Sequence, residues 1–171
     1  MAHLITPSSL LLPLLLLLIH SSSSTAAVFD ITAFGAKSDG QTDSAQSFTK
    51  AWAAACGSSG ATTVYVPAGS FSLGPVTFSG PCSSSRITVQ IDGTLIAPSD
   101  YAEIGTKGGW ILFDHVDGVS VYGGVIDGRG ASLWSCKASA HNCPDGATVS
   151  TLASYQENDT FIHSFKSIIV T

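Results

Sequence analysis

The spacing of hydrophobic and polar positions changes character twice along the chain. Leu10 to Ile19 is almost unbroken leucine, interrupted by Pro13. The run is shorter than the roughly 20 apolar residues a membrane span needs, and it has the length of the apolar core of an export signal. Ser21 to Ser24, Thr25, Ala26 and Ala27 follow. Ser24 with Ala26, or Thr25 with Ala27, meets the small-x-small spacing of signal peptidase. The pattern predicts a signal peptide over residues 1–27, cut after Ala26 or Ala27. The stretch ahead of the leucines has no Lys or Arg, only the Met1 amine and His3.

A helical pattern comes next. Val28 to Ile31 reads as a short strand, Ala33 to Ala36 as a turn and Lys37 to Asp43 as a polar stretch. Ala45, Phe48, Trp52 and Ala55 then recur at helical spacing, with Gln46, Thr49 and Lys50 on the other face. Asp43 followed by Gln46 predicts a capping box at the start. Cys56-Gly57 predicts a glycine left-handed cap at the end.

From Thr62 onward the period is two. Thr62–Val66, Gly69–Leu73, Val76–Phe78, Ile87–Ile91, Thr94–Ile96, Ile111–Phe113, Val119–Tyr122 and Val125–Ile126 each stop at Gly, Pro or Asp-Gly. Strands of about three to five residues are short for a hairpin sandwich. They suit a solenoid, in which each triangular coil buries its inward side chains on the coils above and below. No strict repeat is visible. The one apolar-faced helix fits the end of such a stack, where an open coil would show strand edges to water.

Composition narrows the function. The positive mean hydropathy comes largely from the leucine run. The 171 residues carry a formal net charge of -5, all of it beyond the leader, which argues against nucleic acid as a partner. An anionic ligand would need local Arg or Lys to hold it against that field. Arg86, Lys107, Arg129 and Lys137 are the cations of the β region; they fit contacts to acidic sugars and equally an ordinary solvated surface.

Asp114, His115 and Asp117 look like an acid, a relay and a base in one segment, but Asp117-Gly118 is a turn signal, and the three read as solvated turn residues. Asp127-Gly128-Arg129-Gly130 lacks the Gly-Lys-Ser/Thr ending of a phosphate loop and reads as a turn whose glycines supply positive φ. Cys136, Cys143 and His141 do not complete a tetrahedral zinc site. With an export signal, the four cysteines read as disulfides, for which three pairings exist. Asn158-Asp159-Thr160 is a glycosylation sequon.

Several segments together resemble the polygalacturonases, a glycoside hydrolase family. They are Phe29-Asp30-Ile31-Thr32-Ala33-Phe34-Gly35-Ala36 with Asp39-Gly40-Gln41-Thr42-Asp43; Trp52 with Cys56; Tyr65-Val66-Pro67-Ala68-Gly69; Gly123-Gly124-Val125-Ile126-Asp127-Gly128-Arg129-Gly130 with Trp134 and Cys136-Lys137; and Asn142-Cys143-Pro144. The block around Ile126-Asp127-Gly128 with its cysteine pair is the most specific. The likeness runs from about Phe29 to Ala147.

The resemblance implies a right-handed parallel β-helix with an N-terminal capping α-helix, secretion to the cell wall, and hydrolysis of α-1,4-galacturonosyl linkages in pectin without a metal cofactor. It pairs Cys56 with Cys82, tying the capping helix to the first coils, and Cys136 with Cys143. It implies pectin or polygalacturonate as the partner, with no nucleic acid, no membrane after signal cleavage, and a monomer.

The family's chemistry uses an Asn-Thr-Asp segment, an Asp-Asp pair, a Gly-His-Gly and an Arg-Ile-Lys, none of which occurs in the 171 residues. The expectation is therefore a chain with no catalytic residues of its own, inactive alone. Residues 28–150 are expected to form the N-terminal part of a pectinase β-helix domain, and 151–171 a divergent tail. Two alternatives stay open: a secreted non-catalytic β-helix that binds pectin or a wall partner, and another β-helix polysaccharide hydrolase such as a rhamnogalacturonan hydrolase.

Overall fold

A computed structural model describes residues 26–105, 109–139, 143 and 153–155. Every strand pair in it is parallel. The first coil holds β1 (Ala27–Asp30), a single 3₁₀ turn at Ile31–Phe34, β2 (Asp39–Asp43) and helix α1 (Ala45–Gly57). The second holds β3 (Gly60–Val66), β4 (Ser70–Ser72) and β5 (Val76–Ser79). The third holds β6 (Ser84–Ile96), a short α2 (Tyr101–Gly105) and β7 (Ile111–Asp114). The fourth holds β8 (Val119–Asp127), α3 (Ala131–Ala138) and β9 (Ala153–Tyr155).

Stacking these coils gives two parallel sheets. In sheet A, β1, β3, β6 and β8 lie side by side, and β2 and β4 continue beside the second half of β6. Sheet B is β5, β7 and β9. This is a parallel β-helix. Its interior is made of ladders: Thr62 stacks on Ile87, Val64 on Val89 and Val121, Phe71 on Leu95, and Phe78 on Phe113. These side chains are buried because alternate residues of each strand point inward and meet their register partners one coil away.

Helix α1 occupies the third side of the first coil, where a strand of sheet B would otherwise begin. Phe48, Ala51, Trp52 and Ala55 form its buried face. The Trp52 ring lies 4.9 Å from Phe78 and 5.5 Å from Phe113, and Phe48 lies 5.3 Å from Phe78. The indole N–H of Trp52 donates to the Ser79 carbonyl at 3.1 Å. The helix thus seals the end of the aromatic column and bonds to the first strand of sheet B. At its far end the Thr62 hydroxyl reaches the Ala55 carbonyl at 3.4 Å and stands 3.0 Å from Ser84 Oγ. Both buried hydroxyls are satisfied where the last helical carbonyls need partners.

Five local expectations are corrected. The capping box at Asp43 and Gln46 is not formed, because Asp43 is the last residue of β2 and Ser44 takes the N-cap position. From one residue further out, Asp43 Oδ1 accepts from the Ala45 N–H at 2.9 Å and the Gly74 N–H at 2.8 Å, pinning the helix start to the second coil. Gly57 is not a left-handed cap: it lies within α1, the chain leaves extended at Ser58, and the positive φ comes at Gly60. The Ser58 hydroxyl donates to the Ala54 carbonyl instead.

Strand β6 spans 13 residues and crosses Asp92-Gly93 without a break, so not all strands are short. Its first part pairs with β3 and its second with β4, which makes Asp92-Gly93 a corner within one strand. Part of the polar stretch is a strand, β2, whose residues pair with β4 across a register shift. The helices α2 and α3 gave no signal in the pattern. Each is short, and Leu133 is the buried residue of α3.

Candidate functional site

The turn between β7 and β8 brings two of the singled-out residues together. His115 Nδ1 lies 2.7 Å from Asp114 Oδ1, both on the surface, and His115 adopts φ 53°. Asp117 stands ahead of Gly118, whose φ of 69° makes the turn into β8. The three residues occupy a tight crossing between coils. Among the described residues, no group of three His, Cys, Asp or Glu side chains could hold a metal ion.

The Gly-rich turn after β8 departs from its reading in one respect. Neither of its glycines takes a positive φ, Gly130 lying at -69°, and Arg129 (45°) does so instead; Gly123 (78°) and Gly124 (57°) supply theirs earlier, within β8. Asp127 Oδ1 accepts from the Arg129 N–H at 3.0 Å, a side-chain turn that tolerates Arg129 in this conformation. Arg86 is exposed on β6, Arg129 in this turn and Lys137 on α3, while Lys107 lies outside the described residues. The ammonium of Lys137 stands 5.9 Å from the ring centre of the half-exposed Trp134. Asn158 also lies outside the described residues.

All four cysteines are bonded. Cys56 joins Cys82, with Cα atoms 4.6 Å apart, and links the last turn of α1 to the segment entering β6. Cys136 joins Cys143, with Cα atoms 6.0 Å apart, and closes a loop at the end of α3. No thiolate is left to ligate zinc.

One arrangement has no counterpart in the sequence reading. On the outer face of sheet A, the Tyr65 hydroxyl donates to Asp92 Oδ2 at 2.7 Å, and Gln90 Nε2 donates to Asp92 Oδ1 at 3.0 Å. The Tyr65 hydrogen bond, then that of Gln90, holds the Asp92 carboxyl below its ordinary pKa. The same bond to Asp92 raises the Tyr65 phenol. A signal was available: Tyr65, Gln90 and Asp92 all fall on outward positions of alternating strands. Only the register shows that they meet.

The described geometry is a capped stack of coils with paired cysteines and polar turns. The profile of glycosyl hydrolases family 28 matches residues 56–163. The chain belongs to that family. A polygalacturonase of Prunus persica is 48% identical over 82% of this family 28 chain. An exopolygalacturonase of Zea mays is 42% identical over 63% of it, and a probable polygalacturonase of Arabidopsis thaliana is 46% identical over 64%. The alignments cover 35%, 26% and 25% of those proteins, so the family 28 chain spans about a third of their length or less. The matched residues take in everything from the Cys56 bridge to β9. Among the described residues, no helix is long and apolar enough to cross a membrane.

Proposed function

We propose that the chain is the N-terminal part of a secreted, polygalacturonase-like pectin hydrolase, acting on α-1,4-galacturonosyl linkages in the cell wall. The observation that carries this reading is its membership of family 28, joined to relatives named polygalacturonase and exopolygalacturonase. Residues 1–27 are the leader, 28–150 the first coils, and 151–171 the tail bearing a sugar at Asn158, although β9 and the family match, which runs to residue 163, reach into that tail. The mature chain is a monomer, takes no cofactor, and has neither nucleic acid nor membrane as a partner.

Inverting hydrolysis needs one carboxyl group to protonate the leaving oxygen and a second carboxylate to activate water. The two stand roughly 6.5 to 9.5 Å apart. The Asn-Thr-Asp and Asp-Asp segments that supply such carboxylates in the family do not occur in the 171 residues. The role of these residues is to build and seal the end of the stack and to present β8 as a template. Strands of a following coil would add to it at about 4.8 Å.

The test is reducing-end release from polygalacturonate. The purified 171-residue chain is expected to release none. A chimera continued with the remaining coils of the peach relative is expected to release them. Turnover by the short chain would overturn its inactivity. A folded chimera that cleaves rhamnogalacturonan instead would overturn the substrate. Intact mass of the secreted chain, before and after deglycosylation, checks the cut near Ala27 and the sugar on Asn158.

A further inference from the structure

The outer face of sheet A carries an ordered row. Tyr65 on β3, Gln90 on β6 and Tyr122 on β8 are successive register partners, so their side chains stand one above another along the axis of the stack. Tyr65 and Tyr122 are two strand spacings apart, about 9.5 Å. Asp92 locks the first two members in place by accepting from both. Tyr122 is 41% exposed, a large aromatic surface left in water. Thr63, Thr88 and Ser120 form a second row of register partners on the same face.

We propose that this face binds an extended, neutral polysaccharide, lying along the row from Tyr65 to Tyr122. A hexose unit presents an apolar C–H face and a rim of hydroxyl groups. Two tyrosine rings in line offer stacking platforms, since each is apolar in body and polar at the tip. The Gln90 carbonyl oxygen and the remaining lone pairs of Asp92 accept hydrogen bonds from sugar hydroxyls. The Thr and Ser row supplies further donors. Because Asp92 already holds Tyr65 and Gln90, little side-chain freedom is lost on binding, which favours affinity.

Charge selects the class of sugar. Asp30 is the register partner of Tyr65 on β1, and with Asp92 it puts two carboxylates beside the row. The nearest cation along β6 is Arg86, toward the start of the strand. The formal net charge of -5 adds to this field. A polyuronate is repelled here, whereas a neutral hexan is not. The face is lateral, so coils added beyond β8 would leave it open. The proposal rests on this face and not on the hydrolase reading, and the two can fail separately.

Affinity electrophoresis of the secreted chain in native gels tests it. Migration is expected to slow in gels containing hydroxyethylcellulose, a soluble neutral glucan, and not in gels containing polygalacturonate. Tyr122→Ala is expected to abolish the retardation with an unchanged near-UV circular dichroism envelope apart from the lost ring, and Gln90→Ala to weaken it. Unretarded wild-type chain in the neutral gel would overturn the proposal. So would retardation that both variants keep, or retardation by polygalacturonate alone.

Discussion

Asp39 shows how much one exposed side chain can organise. Its carboxylate accepts from the Thr42 hydroxyl at 2.7 Å and from the Thr42 and Gln41 N–H groups at 2.8 and 2.9 Å. These bonds, led by the Thr42 hydroxyl, lower its pKa to about 2. A carboxyl group whose pKa is lower when folded stabilises the fold above its unfolded value. That contribution is lost as pH falls toward the folded value. The stability of the isolated chain should therefore decline between about pH 4 and pH 2. Asp39→Ala should lower the denaturation midpoint at neutral pH and flatten this part of the profile. Thr42→Ala should move the Asp39 titration upward, as read from its side-chain carbonyl signal by NMR. An Asp39 that titrates at the ordinary value in the parent chain would refute the account.

At the scale of elements, the lid helix matters most. Trp52 is 3% exposed, touches rings from both β5 and β7, and donates to Ser79. Trp52→Ala should cost about 3 to 5 kcal/mol, the range for truncating a buried aromatic. Urea denaturation monitored by far-UV circular dichroism checks this, and a loss below about 1 kcal/mol, within the range of a surface substitution, would refute it. The helix and its buried face were legible because Ala45, Phe48, Trp52 and Ala55 announce a period of 3.6. Its ends were not. Asp43 has the chemistry of a cap, yet strand pairing with Ser72 holds it outside the helix, a competition that no local pattern reveals.

The whole molecule explains why its repeat was hidden. Val66, Ile91 and Gly123 are register partners, as are Ser70, Thr94 and Val125. Between them the corner is Pro67-Ala68-Gly69 in one coil, Asp92-Gly93 in the next and Gly124 in the last. The corner loses one residue per coil while the distance between register partners grows from 25 residues (Val66 to Ile91) to 32 (Ile91 to Gly123), because the segments between strands differ in length; no fixed period survives in the sequence. The corner is also crowded: a Cβ on Gly93 would stand 2.5 Å from the carbonyl oxygens of Gly69 and Pro67.

Stacking also sets where stability lies. Strand β6 is paired on one side with β3 and β4 and on the other with β8. Its amides should be among the slowest to exchange with deuterium, slower than those of β8. Faster exchange in β6 than in β8 would contradict this stacking order.

The sequence by itself determined the alternation that makes short strands, the apolar face of one helix, the glycine and proline punctuation, and the absence of the family's hydrolytic motifs. Those are properties of neighbouring residues, and near-neighbour chemistry writes them directly. Tertiary structure alone decided which strands become partners, that Asp92-Gly93 bends a strand without ending it, and that Tyr65, Gln90 and Asp92 meet. Such contacts join residues far apart in the chain, and register between coils depends on the length of every corner before it.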